Sequence, residues 1–218
     1  MNNIFVEDHV VPQLFTSAIE AYEVLNKNHK GKDQDKLETF GLLWGYSIQA
    51  KGNQPSKIIA TMATIETSAK RHTNWVEPDY DSLRMKKEFF ERYWPNIELV
   101  GSFHSHPYDS LTTVNSIKGW RASPDDCIFF PHFHKKISPD QESMAHLIVT
   151  ITKLEKKGTA WPNRLATNDE WGKGYVLSAD RRKIWLRAYG SELDNDNDEY
   201  TFTDDIYLDI PSLERRFE

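Results

Sequence analysis

The run Leu99-Val100-Gly101-Ser102-Phe103-His104-Ser105-His106-Pro107 passes from apolar residues into two histidines and ends on a proline. A short apolar stretch of this kind reads as a buried strand. Alternate side chains of a strand share a face, so His104 and His106 project together. Two imidazoles so placed can offer nitrogens to one tetrahedral zinc at about 2.0–2.1 Å. Pro107 cannot donate to a ladder, which predicts that the strand stops there and that the histidines sit at an edge open to solvent. On its own an HxH pair is more often an ordinary polar strand end, so its meaning depends on other segments.

Two segments matter here. Ser123-Pro124-Asp125-Asp126 has the composition of a helix start, with serine at the cap, proline at the first position and acids in the first turn. Asp126 offers a carboxylate oxygen as a third ligand. Three protein ligands leave a fourth position for water, as in catalytic rather than structural zinc sites. Glu38 stands directly before an apolar run, in Glu38-Thr39-Phe40-Gly41-Leu42-Leu43-Trp44-Gly45. A carboxylate at the border of an apolar segment is partly desolvated, which raises its pKa toward that of a general base. Taken singly, the two segments are a well-made helix N-terminus and a surface acid.

The remaining signals place these segments in a fold. Pro12 to about Leu25 reads as a helix with Leu14, Ala18, Ile19, Tyr22 and Leu25 on one face, and Asn26–Lys36 as a polar loop. Phe40–Ile48 and Lys57–Ile65 read as strands, the first with Gly41 and Gly45 where other backbone approaches closely. Pro78–Trp94 reads as a helix stopped by Pro95, with Leu83, Phe90 and Trp94 toward the core. Tyr108–Ala122 reads as irregular, and the helix begun at Ser123 is expected to end at Pro131. His146–Thr152 is the clearest buried strand. Gly174–Leu177 and Ile184–Tyr189 pair around the turn Ala179-Asp180-Arg181, and Phe202–Ile210 adds a further strand. Helices and strands without regular βαβ alternation predict an α/β fold with a mixed sheet flanked by helices. No repeat, low-complexity run or linker divides the chain. Residues 1–218 therefore read as a single domain, with the motifs in about 12–152 and a strand-rich extension over about 153–218.

Two other patterns compete for attention. Asp194-Asn195-Asp196-Asn197-Asp198 resembles a calcium loop, but Glu199 occupies the position where an EF-hand needs glycine and Asp205 the position of its final glutamate, so it reads as a solvated turn. His132-Phe133-His134 repeats the HxH spacing without a glutamate or third ligand nearby in the sequence and reads as surface or outer-sphere. His72 and His146 have no motif context and read as structural or surface residues.

The composition narrows the function classes. Of 218 residues 39% are hydrophobic and seven are tryptophan, enough for a packed core. With 27 Lys and Arg against 33 Asp and Glu, the net charge of −6 gives no pull toward nucleic acid or an anionic membrane. Cys127 is the single cysteine, which excludes an internal disulfide and a cysteine-rich zinc site and predicts a reducing, cytoplasmic setting. The same count excludes the P-C-x-x-C arrangement of a zinc deaminase. The N-terminus lacks a signal-peptide pattern, and no apolar run approaches bilayer-spanning length.

In combination, Glu38 with Gly41-Leu42-Leu43-Trp44-Gly45, then His104-Ser105-His106-Pro107, then Ser123-Pro124-Asp125-Asp126 resemble the JAMM (MPN-plus) zinc metalloprotease family. Its pattern is a glutamate before a GLLxG-like strand, then H-S/T-H-P, then S-x-x-D. The resemblance covers roughly residues 12 to 152. It departs from the family in one place, because the sixteen residues from Pro107 to Ala122 are more than the family's usual spacing. At that spacing the serine would fall at Val114. Ser110 and Ser116 fail because Thr113 and Gly119 stand three residues on, so Ser123 and Asp126 take the motif positions and the extra length is an insertion beside the site. Tyr108, Trp120 and Arg121 in it are candidate substrate contacts, as a lid or groove wall; a passive surface loop is the equal alternative.

The resemblance implies a JAMM/MPN-like (cytidine-deaminase-like) fold and one zinc ion per chain on His104, His106 and Asp126. It also implies Glu38 as general base and Ser123 as stabiliser of the oxyanion formed when water attacks an amide carbonyl. The implied partner is ubiquitin or a ubiquitin-like protein or its conjugates, cleaved at a C-terminal peptide or isopeptide bond, as in compact prokaryotic relatives. Two alternatives stand beside it. One is a non-catalytic MPN-type scaffold, which the intact ligand set argues against. The other is a zinc peptidase acting on small peptides.

Overall fold

The computed structural model describes residues 2–26, 33–49, 51, 56–166, 170–194 and 196–214. Part of the expected loop Asn26–Lys36, and Asn195 of the acidic run, lie outside them. Val10, Leu14, Ala18, Ala21 and Tyr22 recur at helical spacing and form the buried face of α1 (Val10–Glu23). Leu25 falls beyond the helix end and is exposed, so it does not extend that face.

The strands are β1 (Asn2–Val6), β2 (Phe40–Ile48), β3 (Lys57–Ile65), β4 (Lys70–Arg71), β5 (Val76–Glu77), β6 (Glu98–Tyr108), β7 (Ser143–Lys153), β8 (Ala160–Arg164), β9 (Gly174–Ala179), β10 (Arg182–Asp194), β11 (Glu199–Thr203) and β12 (Ile206–Asp209). β4 and β5 form a small separate hairpin. Among the described residues the other ten make one mixed sheet in the order β12-β1-β3-β2-β6-β7-β10-β9-β8, with β11 on the far part of β10. β6 and β7 are parallel, as are β1 and its two neighbours; the remaining pairs are antiparallel. The strands of 153–218 thus continue the sheet of the first part of the chain. The sheet curls until its ends meet: Arg164 Nη1 of β8 donates to Leu208 O of β12 at 2.6 Å, and Leu208 N donates to Gly172 O at 2.7 Å.

β7 sits centrally and is buried on both faces, as a doubly covered strand must be. Its Ala145, Leu147, Val149 and Ile151 join α1 in the main core, together with Ile184, Leu186 and Ala188 of β10. The opposite face carries α2 (Tyr80–Tyr93), α3 (Leu111–Ile117) and α4 (Pro124–Ile137). There Phe40, Leu42 and Trp44 of β2 meet Leu83 and Phe133. Trp94 does not join them. It is the C-cap residue, its backbone has left the helix, and its ring is about half exposed beside Phe89 and Tyr93.

The structure overturns three local expectations. Pro107 does not end its strand: Pro107 and Tyr108 pair with Ile151 and Thr152 of β7. Ser105 N donates to Thr39 O on the β2 side, and residue 107 has the same parity. β2 ends opposite His104, so the missing N–H of Pro107 falls where no partner strand remains. Pro131 does not end α4, which continues to Ile137. An interior proline costs about 3 kcal/mol or more, but Phe130, Phe133 and Ile137 are buried on one face at roughly 1.5–3 kcal/mol each, which offsets it. Finally, the segment read as irregular contains α3, capped by the Ser110 hydroxyl accepting from Thr113 N.

Candidate metal centre

β6 lies between β2 and β7, so the histidines are inside the sheet and only their tips meet solvent: His104 is 3% and His106 8% exposed. This corrects the expectation of an open edge. Strand alternation puts Ser102, His104 and His106 on the face that carries α2, α3 and α4, beside their β7 partners His146, Ile148 and Thr150. The two ring Nε2 atoms are 2.9 Å apart.

α4 brings the third group. Ser123 caps the helix with Oγ accepting from Asp126 N at 3.1 Å, and Asp126 Oδ2 accepts from Ser123 N and Ser123 Oγ, each at 2.7 Å. This capping box fixes the direction of the Asp126 carboxylate. Its Oδ1 lies 3.1 Å from His104 Nε2 and its Oδ2 3.3 Å from His106 Nε2. His104, His106 and Asp126 each offer one ligand atom within 4.8 Å of the others, a group able to hold a metal ion.

Glu38 enters the same groove from the residue before β2's lead-in, and its backbone N–H is held by His72 O at 2.8 Å. It is 6% exposed, and burial raises its pKa although the two histidines pull it down. Burial also works against charge on His104 and Asp126, but each is overridden by the other: His104 is raised by the Asp126 carboxylate, and Asp126 is held far below the usual carboxylate range by both histidines. The site therefore favours the Asp126 carboxylate and draws His104 toward its protonated form, with a second carboxyl in Glu38 whose proton is retained to higher pH.

The groove has a volume of about 280 Å³. Glu38, His104, His106, Ser123 and Asp126 all line it. Tyr108 forms one wall, its ring edge-on to His106 at 6.5 Å. Its ring rests on Gly119, where a Cβ would come within 2.8 Å of it. Trp120 and Arg121 turn the other way. Trp120 stacks on Trp185 and Arg121 pairs with Glu170, and neither lines the groove. The opposite wall comes from the hairpin tip Thr73-Asn74-Trp75, which sequence reading left unassigned. Its signal was faint, an exposed tryptophan between two strands of two residues each.

The second HxH pair goes elsewhere. His132 is exposed near the Tyr80 ring. His134 is buried in a chain of hydrogen bonds from Gln141 O through Ser191 Oγ and His146 to Ser102 Oγ. In the described part of the acidic run Asp194 accepts from Asp196 N and Asn197 Nδ2.

No protein-family model matches the chain, and no curated protein matches it in sequence.

Proposed function

We propose that the chain is a zinc-dependent peptidase of the JAMM (MPN-plus) type that cleaves a peptide or isopeptide bond at the C-terminus of ubiquitin or a ubiquitin-like protein. The observation that supports it is the meeting in one groove of three sequence-distant motifs, Glu38, His104 with His106, and Ser123 with Asp126. The mixed sheet with helices on both faces agrees with the fold that the motifs imply.

The donor set suits zinc. Two imidazole nitrogens and a carboxylate oxygen are its usual catalytic ligands, and atoms about 2.1 Å from a tetrahedral ion lie roughly 3.4 Å apart. The two Nε2 atoms are 2.9 Å apart, and the Asp126 carboxylate faces them with Oδ1 3.1 Å from His104 and Oδ2 3.3 Å from His106; taken as one ligand atom per residue, the three donors lie within 4.8 Å of one another. What zinc supplies at such a site is Lewis acidity and a water that ionises near neutral pH.

The protein's own groups do the rest. Glu38 accepts a proton from the attacking water and returns it to the leaving amine; its partial burial suits a base that must also act as an acid. The Ser123 hydroxyl donates its one proton to Asp126 Oδ2 and so orients that carboxylate; the oxyanion role implied by the resemblance requires the hydroxyl to turn from Asp126 to the substrate oxygen. Tyr108 and the 73–75 tip wall the groove and set what backbone can enter.

The test is zinc content and cleavage. Purified protein should hold about one zinc per chain and cleave a C-terminal fusion to a ubiquitin-like protein. Glu38→Gln should keep the metal while lowering turnover by about 10²–10⁴. Protein that stays zinc-free after reconstitution would sink the enzyme reading.

A further inference from the structure

Asp126 reaches the histidines from the far end of a sixteen-residue excursion, Pro107–Ala122. A connection of that length does not by itself hold a helix start at a strand end. Thr150 Oγ1 of β7 donates to Gly119 O at 3.1 Å, and the contacts of the three residues that follow Gly119 come from the C-terminal part of the chain. Trp185, Arg187 and Tyr189 alternate on one face of β10, and the three residues before the Ser123 cap lie on that face. Trp120 stacks on Trp185 with ring centres 6.1 Å apart. Arg121 pairs with Glu170, which is 1% exposed and pairs also with Arg187. Ala122 N donates to Tyr189 Oη at 2.6 Å.

The Tyr189 hydroxyl is itself held. The side chain is buried, the Arg187 guanidinium lies over its ring at 4.3 Å, and Phe130 and Phe202 pack against it. Its bond falls on the residue next to Ser123, whose N–H and Oγ both bind Asp126 Oδ2. One buried hydroxyl is thus connected through two residues, Ala122 and Ser123, to the carboxylate that meets His104 and His106.

We propose that Tyr189, braced by the Glu170–Arg187 pair, is the positioning residue for Asp126, so that the 153–218 strands are a working part of the metal centre. The proposal rests on the peptidase reading only for the role of Asp126 as a ligand; the placing of the α4 start stands without it.

Tyr189→Phe in the full chain tests this, with Tyr175→Phe as the control. Tyr175 is also buried in the C-terminal strands, but its hydroxyl binds Ile210 N and Leu208 O, away from α4. Three readouts apply: zinc affinity by chelator competition, the visible spectrum of the cobalt(II)-loaded protein, and, in metal-free protein, hydrogen exchange at the Asp126 and Cys127 amides. Tyr189→Phe should weaken zinc binding about tenfold, in the range of outer-sphere partners. It should also alter the cobalt spectrum and speed exchange at those two amides. Tyr175→Phe should leave all three as in the wild type. Glu170→Gln should move them in the same direction as Tyr189→Phe. Wild-type affinity, spectrum and exchange in Tyr189→Phe would overturn the proposal, and so would equal changes in Tyr175→Phe. A wild-type protein that binds neither ion would remove the peptidase reading. Exchange alone then decides: faster exchange in Tyr189→Phe only supports the placing of α4, and unchanged exchange overturns it.

Discussion

The chain carries the same three-residue spacing twice, His104-Ser105-His106 on β6 and His132-Phe133-His134 on α4, and the two pairs behave as opposites. On a strand, residues two apart share a face, and the first pair converges to 2.9 Å. On a helix, residues two apart are about 200° around the axis, and the second pair separates. His132 points to solvent while His134 enters the core. Their charges differ as well. Asp126 draws His104 toward the protonated form against its burial, whereas burial keeps His134 and His146 neutral. A histidine pair is therefore defined by the element that carries it. The neutral chain Ser102–His146–Ser191–His134 ends two residues from His104, so the centre adjoins a fixed, uncharged wall, with Phe130 stacked on His146 at 4.3 Å.

The sharpest break in the comparison is ligand removal. His104→Ala or Asp126→Ala should abolish turnover and weaken zinc binding well beyond the roughly 10–100-fold that an outer-sphere partner is worth. His134→Gln should change zinc affinity by no more than about twofold, because its bonds run to Ser191 and Gln141 rather than to the ligands. Chelator competition measures both, and comparable losses in His134→Gln and His104→Ala would erase the distinction. Next in size comes Glu38→Gln, which loses the base but none of the three donors.

The same contrast explains how much could be read in advance. The convergence of His104, His106 and Asp126 and the capped start of α4 are legible because each rests on a local pattern: strand alternation for His104 and His106, and serine, proline and aspartate in order for Asp126. β2, β3 and β7 announced themselves as apolar runs. What escaped depended on distant partners. β1 is short and pairs in parallel with β12 across almost the whole chain, so it has no local signal, and the single strand expected over Phe202–Ile210 is divided between β11 and β12. Pro107 and Pro131 read locally as stops, yet one lies where no strand faces it and the other is overridden by Phe130, Phe133 and Ile137. α3 is only seven residues long, and of these Val114 alone is buried. Trp120 and Arg121 looked like groove residues from their place in the insertion. Their partners Trp185 and Glu170 come from the extension, whose part in the site no motif revealed.

A smaller effect separates the two clusters by pH. Burial holds the folded-state pKa of His134 down at about 4, against about 6.5 in an unfolded chain. The unfolded chain therefore takes up the proton first, and the contribution of neutral His134 to stability is lost as pH falls from about 6.5 toward 4. Between pH 7.5 and 5 the loss is about 2 kcal/mol. The stability advantage of wild type over His134→Gln should shrink by that amount, read from urea unfolding at both pH values. A pH-independent difference would show that His134 is not held neutral. His104 has the opposite sign. In the metal-free protein Asp126 raises its folded pKa against the effect of burial, so its contribution is present below about 6.5 and is lost as pH rises through the raised value.

The smallest expected effect is at the remaining histidine. His132 shares its spacing with His134, but its side chain is exposed and lies edge-on to the Tyr80 ring at 6.4 Å. Lys136 already sits over that ring at 3.6 Å, so the face of Tyr80 stays covered without His132. An exposed edge contact of this kind is worth little beside the burial of Phe133 next to it. His132→Ala should therefore shift unfolding free energy by no more than about 0.5 kcal/mol and leave zinc affinity unchanged. Alanine is also the better helix former, which works against any loss. A clear drop in zinc affinity in this variant would mean that the helical pair reaches the metal after all, and that the separation of the two pairs by strand and helix geometry is wrong.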